Sequence, residues 1–158
     1  MPDLLADHAP AEKRRQLADA CMLIDEFLVA EIEAGRLDGL DLDGGLSPRF
    51  LVHGHCHQKA LAGLSATERL LAMIPGARVE TIPSGCCGMA GSFGYHHHDL
   101  SMAIGELVLF PAVRGADEDT VIVAPGTSCR HQIHDGTGRR AVHPIQAVRD
   151  ALSSEGTG

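Results

Sequence analysis

Five cysteines are the residues of this chain best suited to chemistry, and four of them stand in distinctive local sequences. Cys56 lies within HGHCH, Cys86 and Cys87 are adjacent within PSGCCGMAGSFG, and Cys129 lies within APGTSCRHQ. An odd number of cysteines makes a poor disulfide framework, whereas thiolate sulfur is a preferred ligand of iron–sulfur clusters and of zinc. The pattern therefore favours a metal site.

The adjacent pair needs a special backbone if both thiols are to reach one metal group. Neighbouring residues of a strand point to opposite faces, so a strand cannot present both. A tight turn can, and Gly85 and Gly88 bracket the pair. Glycine accepts positive φ and lets the backbone approach a bulky inorganic core. We predict a metal-binding loop in which Cys86 and Cys87 are both ligands and backbone N–H groups bond the anionic group.

The elements that position these cysteines alternate between strand and helix. This alternation predicts an α/β fold with a small, mostly parallel sheet of about four strands flanked by helices, with an N-terminal helix. The predicted strands are 50–55, 77–82, 120–125 and 139–143, and the predicted helices after them are 59–74, 99–113, 130–135 and 145–153. Ligands bind outside the carboxyl ends of parallel strands. The four cysteines follow the first three strands, so we expect them to meet at one edge.

The N-terminal part of the chain has apolar residues at helical spacing between residues 10 and 34. This predicts one continuous helix with Cys21 on its apolar face, where a free cysteine acts as a small hydrophobe in the core. A connector rich in Gly and Asp follows. The chain is expected to be a single domain, 1–158, composed of the N-terminal helix (1–35), the connector (36–49), the α/β core (50–153) and a flexible tail (154–158).

Composition excludes several classes of partner. The chain has 158 residues, a formal net charge of -8 and 3% aromatic residues. An acidic chain with few aromatic side chains is unsuited to nucleic acid. No apolar stretch reaches the roughly 20 residues that span a bilayer, and the first residues lack the apolar centre of a signal peptide. The expected location is the cytoplasm.

Zinc is the main alternative to an iron–sulfur cluster. His53, His55 and His57 surround Cys56, and zinc accepts nitrogen as well as sulfur ligands. The chain has no Cys-x-x-Cys pair, the spacing that usually marks a zinc knuckle, so iron–sulfur is favoured. For the adjacent cysteines alone, a vicinal disulfide or simple burial is the other interpretation.

Cations and imidazoles close to the cysteines are expected to support the metal group. Lys59 and Arg130 each follow a ligand cysteine closely and would offset the negative charge of thiolates and sulfides. His55 and His57 flank the first ligand cysteine. His143 follows the fourth strand, where it either supports the site or is a half-buried histidine satisfied by the backbone. No Ser-hydrolase elbow, GxGxxG or Walker loop is present, so no catalytic residue is predicted.

Several stretches of the sequence resemble one known family. HGHCHQKAL, PSGCCGMAGSFGY, SMAIGE, LFPAV, APGTSCRHQI and HPIQ resemble the second cysteine-rich CCG domain of iron–sulfur subunits that partner FAD-linked oxidases. That family includes the glycolate oxidase iron–sulfur subunit, the anaerobic glycerol-3-phosphate dehydrogenase C subunit and fused D-lactate or D-2-hydroxyglutarate type dehydrogenases. The B subunit of heterodisulfide reductase is a more distant member. The resemblance implies electron transfer from a reduced flavin, through clusters, toward a quinone or another carrier.

The resemblance also implies the ligands. It assigns Cys56, Cys86, Cys87 and Cys129 to a 4Fe-4S cluster. Many relatives end with Cys-x-x-Cys, whereas Gly126 stands here three residues before Cys129. Four thiols suffice in number for a four-iron cluster, but a five-cysteine, non-cubane cluster lacks its fifth thiol.

Partners are implied in the same way. Family members usually carry two CCG modules, preceded by ferredoxin-like clusters and often by a flavin domain. The chain is thus expected to be a fragment or a separately encoded C-terminal half. It would work with an FAD-binding dehydrogenase and the other CCG half, in a peripheral complex at the inner face of the membrane. The N-terminal helix would pack against that missing half, and FAD would be held only by the partner.

Overall fold

The computed structural model describes residues 8–37, 41–42 and 47–152. Within these ranges there are four strands, β1 (Arg49–Val52), β2 (Arg78–Thr81), β3 (Val121–Val123) and β4 (Ala141–Val142). The helices of the same ranges are α1 (Ala11–Ala20), α2 (Ile24–Glu33), α3 (Cys56–Leu61), α4 (Ser65–Ala72), α5 (Phe93–His96), α6 (His98–Glu106), α7 (Leu109–Gly115), α8 (Thr127–Thr137) and α9 (Pro144–Asp150). The tail predicted for 154–158 and part of the predicted connector, 38–40 and 43–46, lie outside the described residues.

The strands form one parallel sheet in the order β2-β1-β3-β4. The predicted α/β class and the sheet of four strands are confirmed. The chain adds β2 on one side of β1 and then crosses to add β3 on the other side. The crevice between the carboxyl ends of β1 and β3 is therefore the topological switch point, where open parallel sheets bind ligands.

Both faces of the sheet are covered by helices, as the apolar strand residues require. Leu51 and Ile122 pack on one face with residues of α7 and α8. Phe50, Val52 and Val123 pack on the other face with residues of α2, α4 and α9. Successive residues of β1 thus point alternately into the two cores. By the same alternation the next residue, His53, lies on the face of Leu51.

The N-terminal helix is divided in two, so the prediction of one continuous helix is wrong. Cys21 ends α1 with an extended backbone (φ -81°, ψ 124°), and α2 begins at Ile24. The helical period of α1 therefore does not continue into α2. No residue of α1 is buried, and Cys21 is exposed rather than part of the core.

Two later helices are also divided. The segment predicted as one helix over 59–74 breaks at Gly63, which has a φ of +78°. The segment over 99–113 breaks after Glu106 and restarts at Leu109. This second break places Pro111 in the first turn of α7, where a missing backbone N–H costs no helical hydrogen bond.

A buried polar cluster ties α2 to the ligand-bearing part of the chain. Asp25 is only 4% exposed and accepts hydrogen bonds from Thr67 Oγ1 of α4 and from Gln58 Nε2 of α3, the latter at 3.2 Å. Gln58 Nε2 also donates to Thr67 Oγ1 at 3.0 Å. These contacts fix the position of α3, which begins at Cys56.

Candidate metal centre

The four predicted ligand cysteines come from three connections at the carboxyl edge of the sheet. Cys56 is the first residue of α3 after β1, Cys86 and Cys87 lie in the loop after β2, and Cys129 lies in the first turn of α8 after β3. All of them are free thiols, so the structure contains no vicinal disulfide at the adjacent pair. The four cysteines therefore follow the ends of strands, as expected from the sequence.

The buried half of the site consists of His53, Cys87 and Cys129. One ligand atom from each of these residues lies within 4.8 Å of the other two, and all three residues are buried. Among the described residues, His53, Cys87 and Cys129 form the group of potential metal ligands whose ligand atoms lie this close together. Two soft thiols and a buried imidazole form a donor set suited to iron or zinc.

The outer half of the site consists of Cys56 and Cys86. Cys56 is exposed and Cys86 is half-buried. Burial raises the pKa of the Cys86 thiol, the neighbouring thiols Cys87 and Cys56 raise it further, and a hydrogen bond from the Gly88 backbone N–H (3.4 Å) opposes them. The electrostatic influence of Cys56 and Cys86 also extends to Cys129. The four thiols therefore influence one another electrostatically, and Cys56 is the exposed member.

The buried thiols Cys87 and Cys129 share one proton. The hydrogen bond from Cys129 lowers the pKa of Cys87 to about 4 despite burial, and His53 and the Met89 backbone N–H contribute to this lowering. The same hydrogen bond, together with burial, raises the pKa of Cys129. One sulfur is thus a thiolate at neutral pH, the form that binds metals, and a bound cation would displace the remaining proton.

His53 is the member of the site that the sequence-based ligand set omitted. It follows β1 directly, and its backbone N–H donates to the Val123 carbonyl oxygen at 2.8 Å, which places it beside the crevice between β1 and β3. Its Nδ1 lies 2.7 Å from Ser84 Oγ. Its Nε2 is buried with no hydrogen-bond partner. If the alternation of side chains along β1 is continued by one residue, His53 falls on the same face as Leu51 and the buried thiols. This was the signal in the sequence that could have identified it.

The loop with the adjacent cysteines depends on Gly88 and on Lys59. Gly88 has a φ of +102°, and a Cβ there would lie 2.2 Å from the Ser101 carbonyl oxygen. Lys59 Nζ donates to the carbonyl oxygens of Ser84 (2.6 Å) and Gly85 (3.0 Å). Gly85 does not have a positive φ, and a Cβ there would meet no atom within 4 Å. The positive φ and the close packing expected of the flanking glycines are thus found at Gly88 and not at Gly85, and the approach of the Gly85 backbone to a metal group stays a prediction.

Gly126 is required by the imidazole of His55. A Cβ at Gly126 would lie 2.2 Å from His55 Cδ2 and 2.9 Å from Cys129 Sγ. The His55 ring therefore fills the space into which a side chain at position 126 would project. His55 Nδ1 also accepts a hydrogen bond from the His57 backbone N–H at 3.2 Å, which caps α3. His55 thus lies against the site, whereas His57 is exposed.

Arg130 and His143 support the neighbouring backbone. The guanidinium of Arg130 donates to the carbonyl oxygens of Ala124 and Pro125, each at 2.8 Å, and so secures the loop before Cys129. His143 caps α9, with Nδ1 accepting from the Ile145 backbone N–H at 3.2 Å. Burial lowers the pKa of His143, and Arg130 adds to that effect. The contact found for His143 agrees with the interpretation of a half-buried histidine satisfied by the backbone.

A cleft of about 430 Å³ borders the site between α2, α3 and the start of α9. Its walls are largely apolar, with Leu23 and Ile24 on one side and Pro125 and Pro144 on the other. The cleft reaches the metal centre at His55 and Gly126. The cleft therefore adjoins the candidate site at these two residues, although no cysteine lines it.

Parts of two kinds of dehydrogenase are similar to this chain. D-2-hydroxyglutarate dehydrogenase of Escherichia coli (strain K12) is 36% identical over 104 residues, which are 63% of this chain and 10% of that protein. The C subunit of anaerobic glycerol-3-phosphate dehydrogenase of Escherichia coli (strain K12) is 33% identical over 107 residues, which are 66% of this chain and 26% of that protein. D-2-hydroxyglutarate dehydrogenase of Pseudomonas putida is 31% identical over 103 residues, or 63% of this chain and 10% of that protein.

The chain therefore spans about a tenth of the length of these D-2-hydroxyglutarate dehydrogenases and about a quarter of the glycerol-3-phosphate dehydrogenase protein. It is a homologue of a part of each, which confirms the resemblance to these two kinds of protein. No protein-family model matches the chain, and no solved structure matches it. Among the described residues, no helix has the length and apolar character needed to cross a membrane.

Proposed function

We propose that this chain is the iron–sulfur electron-transfer module of a flavin-dependent oxidoreductase. Cys56, Cys86, Cys87 and Cys129 would hold a 4Fe-4S cluster, and the chain as a whole, 1–158, would be a single CCG domain. The observation that supports the proposal is that these four free thiols lie on three separate connections at the carboxyl edge of a parallel sheet, with Cys87 and Cys129 in one buried group beside His53. Ordinary buried cysteines have no reason to gather from such distant segments.

The surroundings of the sulfurs fit an anionic cluster. Backbone N–H groups of Gly88 and Met89 donate to the sulfurs of Cys86 and Cys87. Such hydrogen bonds offset the negative charge of thiolates and raise the reduction potential of a bound cluster. The half of the pocket around Cys87 and Cys129 is part of the hydrophobic core, which limits the access of water. When bound, the cluster would supply one-electron transfer, and the protein residues would hold and shield it.

The expected substrate chemistry belongs to a partner. The sequence of this chain predicts no catalytic side chain, and the two homologous proteins are named as dehydrogenases of D-2-hydroxyglutarate and of glycerol-3-phosphate. We infer that a flavin domain or subunit oxidises a substrate of the 2-hydroxyacid or glycerol-3-phosphate type. Electrons would then pass from FAD through this module toward a quinone or another carrier, in a cytoplasmic complex at the inner face of the membrane.

The N-terminal helices are the surface we propose for the partner. Leu17, Met22, Ile24 and Phe27 are between 43% and 54% exposed, and α1 has no buried residue. Apolar side chains grouped in this way are typical of an interaction surface. We propose that the other CCG half of the complex, with its ferredoxin-like clusters, covers them.

The test is the metal content of the full chain prepared without oxygen. Anaerobic purification or reconstitution should give about four iron and about four sulfide per chain, with an electron paramagnetic resonance signal in one redox state. About one zinc per chain with no iron would overturn the electron-transfer proposal.

A zinc-stabilised docking module is the second candidate. The observation that favours it is the buried group of His53, Cys87 and Cys129, because mixed nitrogen and sulfur ligands at close spacing are common in structural zinc sites. Such a module would dock a flavoprotein and carry no electrons. The same metal analysis separates the two candidates.

A further inference from the structure

The side chain of His53 has an unused nitrogen at the centre of the site. The residue is 0% exposed, and its Nε2 makes no hydrogen bond of ordinary length and angle, although His53 is close enough to the Cys87 thiol to lower the pKa of that thiol through a side-chain hydrogen bond. Buried polar atoms in folded proteins nearly always have a partner, and one that lacks it calls for an explanation such as an ion that binds there. His53 also lies between β1 and β3, where the topology of the sheet predicts a ligand.

The other ring nitrogen is held in the manner of a metal-binding histidine. His53 Nδ1 is 2.7 Å from Ser84 Oγ, and Ser84 belongs to the loop that carries the adjacent cysteines. The Ser84 carbonyl oxygen is itself fixed by Lys59. When Nδ1–H donates to an oxygen, the lone pair is left on Nε2, which is the usual arrangement of histidines that ligate metals.

The sulfurs of Cys87 and Cys129 lie within reach of the same metal atom. The ligand atoms of His53, Cys87 and Cys129 are all within 4.8 Å of one another. Two ligands of one tetrahedral metal, with bonds of about 2.0–2.3 Å, are separated by roughly 3.3–3.8 Å. Small side-chain movements would bring this group to that spacing.

We propose that His53 Nε2 is a direct ligand of the metal group bound at Cys87 and Cys129. The inference rests on the proposed function in that the site must hold a metal. Because four cysteines already fill the four iron positions of a 4Fe-4S cluster, His53 would take the place of one of the two outer thiols, Cys56 or Cys86, as histidines replace cysteines in some clusters. A hydrogen bond from Nε2–H to the Cys87 sulfur is the competing role. A bonded nitrogen couples strongly to the unpaired electron of a paramagnetic metal, whereas a hydrogen-bonded nitrogen couples weakly, so the two roles can be distinguished.

The experiment is pulsed electron paramagnetic resonance of the reconstituted full chain, with and without ¹⁵N-labelled histidine. A strong nitrogen coupling that changes with the label supports the inference. This measurement can be made on the wild-type chain alone. His53→Asn should remove that coupling and lower metal affinity by roughly 10-fold or more. His134→Asn, at an exposed histidine of α8 that is not part of the candidate site, should leave both unchanged. If His53→Asn does not fold, persistence of the coupling in variants of each other histidine near the four cysteines (His55→Asn, His57→Asn, His131→Asn and His143→Asn) assigns it to His53 by elimination.

The outcomes separate this inference from the proposed function. An iron–sulfur signal without a strongly coupled histidine nitrogen overturns the role of His53 and leaves the electron-transfer proposal standing. If the chain takes zinc instead of iron, the electron-transfer proposal fails, and X-ray absorption of the zinc site decides the inference: mixed nitrogen and sulfur ligands support it, and sulfur alone overturns it. A chain that binds neither metal contradicts both.

Discussion

The carboxyl edge of the sheet and the N-terminal helices satisfy their side chains in opposite ways. At the edge, Lys59 and Arg130 bind loop carbonyl oxygens, and backbone N–H groups bind the cysteine sulfurs. In α1 and the start of α2, by contrast, large apolar side chains such as Leu17 and Phe27 remain exposed. The edge is thus organised by contacts within this chain, whereas the N-terminal helices leave large apolar side chains exposed.

The largest expected effect contrasts two cysteines, one from each region. Cys87→Ser should abolish the bound metal group, because Cys87 is the buried thiol whose lowered pKa favours the thiolate. Cys21→Ser should leave the metal unchanged, since Cys21 is exposed between α1 and α2. Iron, sulfide and zinc analysis of both variants is the measurement. Equal metal content in the two proteins would break the assignment of the edge as the site.

A second prediction concerns the packing of the edge. Gly126→Ala should destabilise the protein by about 1–3 kcal/mol, because the new Cβ would overlap the ring of His55. Gly85→Ala, where a Cβ meets no atom within 4 Å, should have a much smaller effect.

A double-mutant cycle sharpens this prediction. His55→Ala should relieve most of the cost of Gly126→Ala, giving a favourable coupling free energy in chemical denaturation. Strict additivity of the two changes would mean that the ring of His55 does not occupy the space beside Gly126.

The third prediction compares the two lysines of the chain. Lys59→Met removes two hydrogen bonds to the carbonyl oxygens of Ser84 and Gly85, and should lower the free energy of unfolding by about 1 kcal/mol and speed metal loss to a chelator. Lys13→Met is the matched change on the exposed surface of α1 and should alter neither quantity. If both variants lose metal at the same rate, the loop is not held by Lys59.

The smallest effect on stability is expected at the N-terminal helices. Phe27→Ser should change the free energy of unfolding by no more than about 0.5 kcal/mol, because Phe27 is 43% exposed. It should nevertheless reduce self-association of the isolated chain in sedimentation experiments, whereas Asp19→Ser at an exposed polar position should not. A wild-type chain that neither self-associates alone nor gains solubility on co-expression with the other CCG half would contradict the proposed role of this surface.

The fold could be predicted from the sequence where hydrophobic periodicity and turn residues agree. The parallel sheet and the placement of cysteines after its strands follow from apolar runs that alternate with helical segments. The break before Pro111 also had a local signal. The break at Cys21 had none, since residues 21–23 are neither Gly nor Pro. It accompanies a tertiary contact, the burial of Asp25 against Thr67, that no local pattern shows.

The site could be predicted only as far as its thiols. The predicted first strand ran to residue 55 and enclosed His53, whereas β1 ends at Val52. His53 thus resembled one of three similar histidines in HGHCH. Its burial and its contact with Ser84, 31 residues further along the chain, depend on the packing of β1 beside β2. The effect of Gly126 on His55 likewise arises between segments that only the fold brings together.

The spacing of the ligands along the chain has a consequence for folding. Cys56 and Cys86 are about 30 residues apart, and Cys87 and Cys129 about 40, so a metal group shared by them would close two long loops. It would act as a cross-link that restricts the unfolded chain and joins β1, β2 and β3 at their ends. Amide hydrogen exchange in these strand ends should then slow on metal binding, while exchange in α1 stays fast.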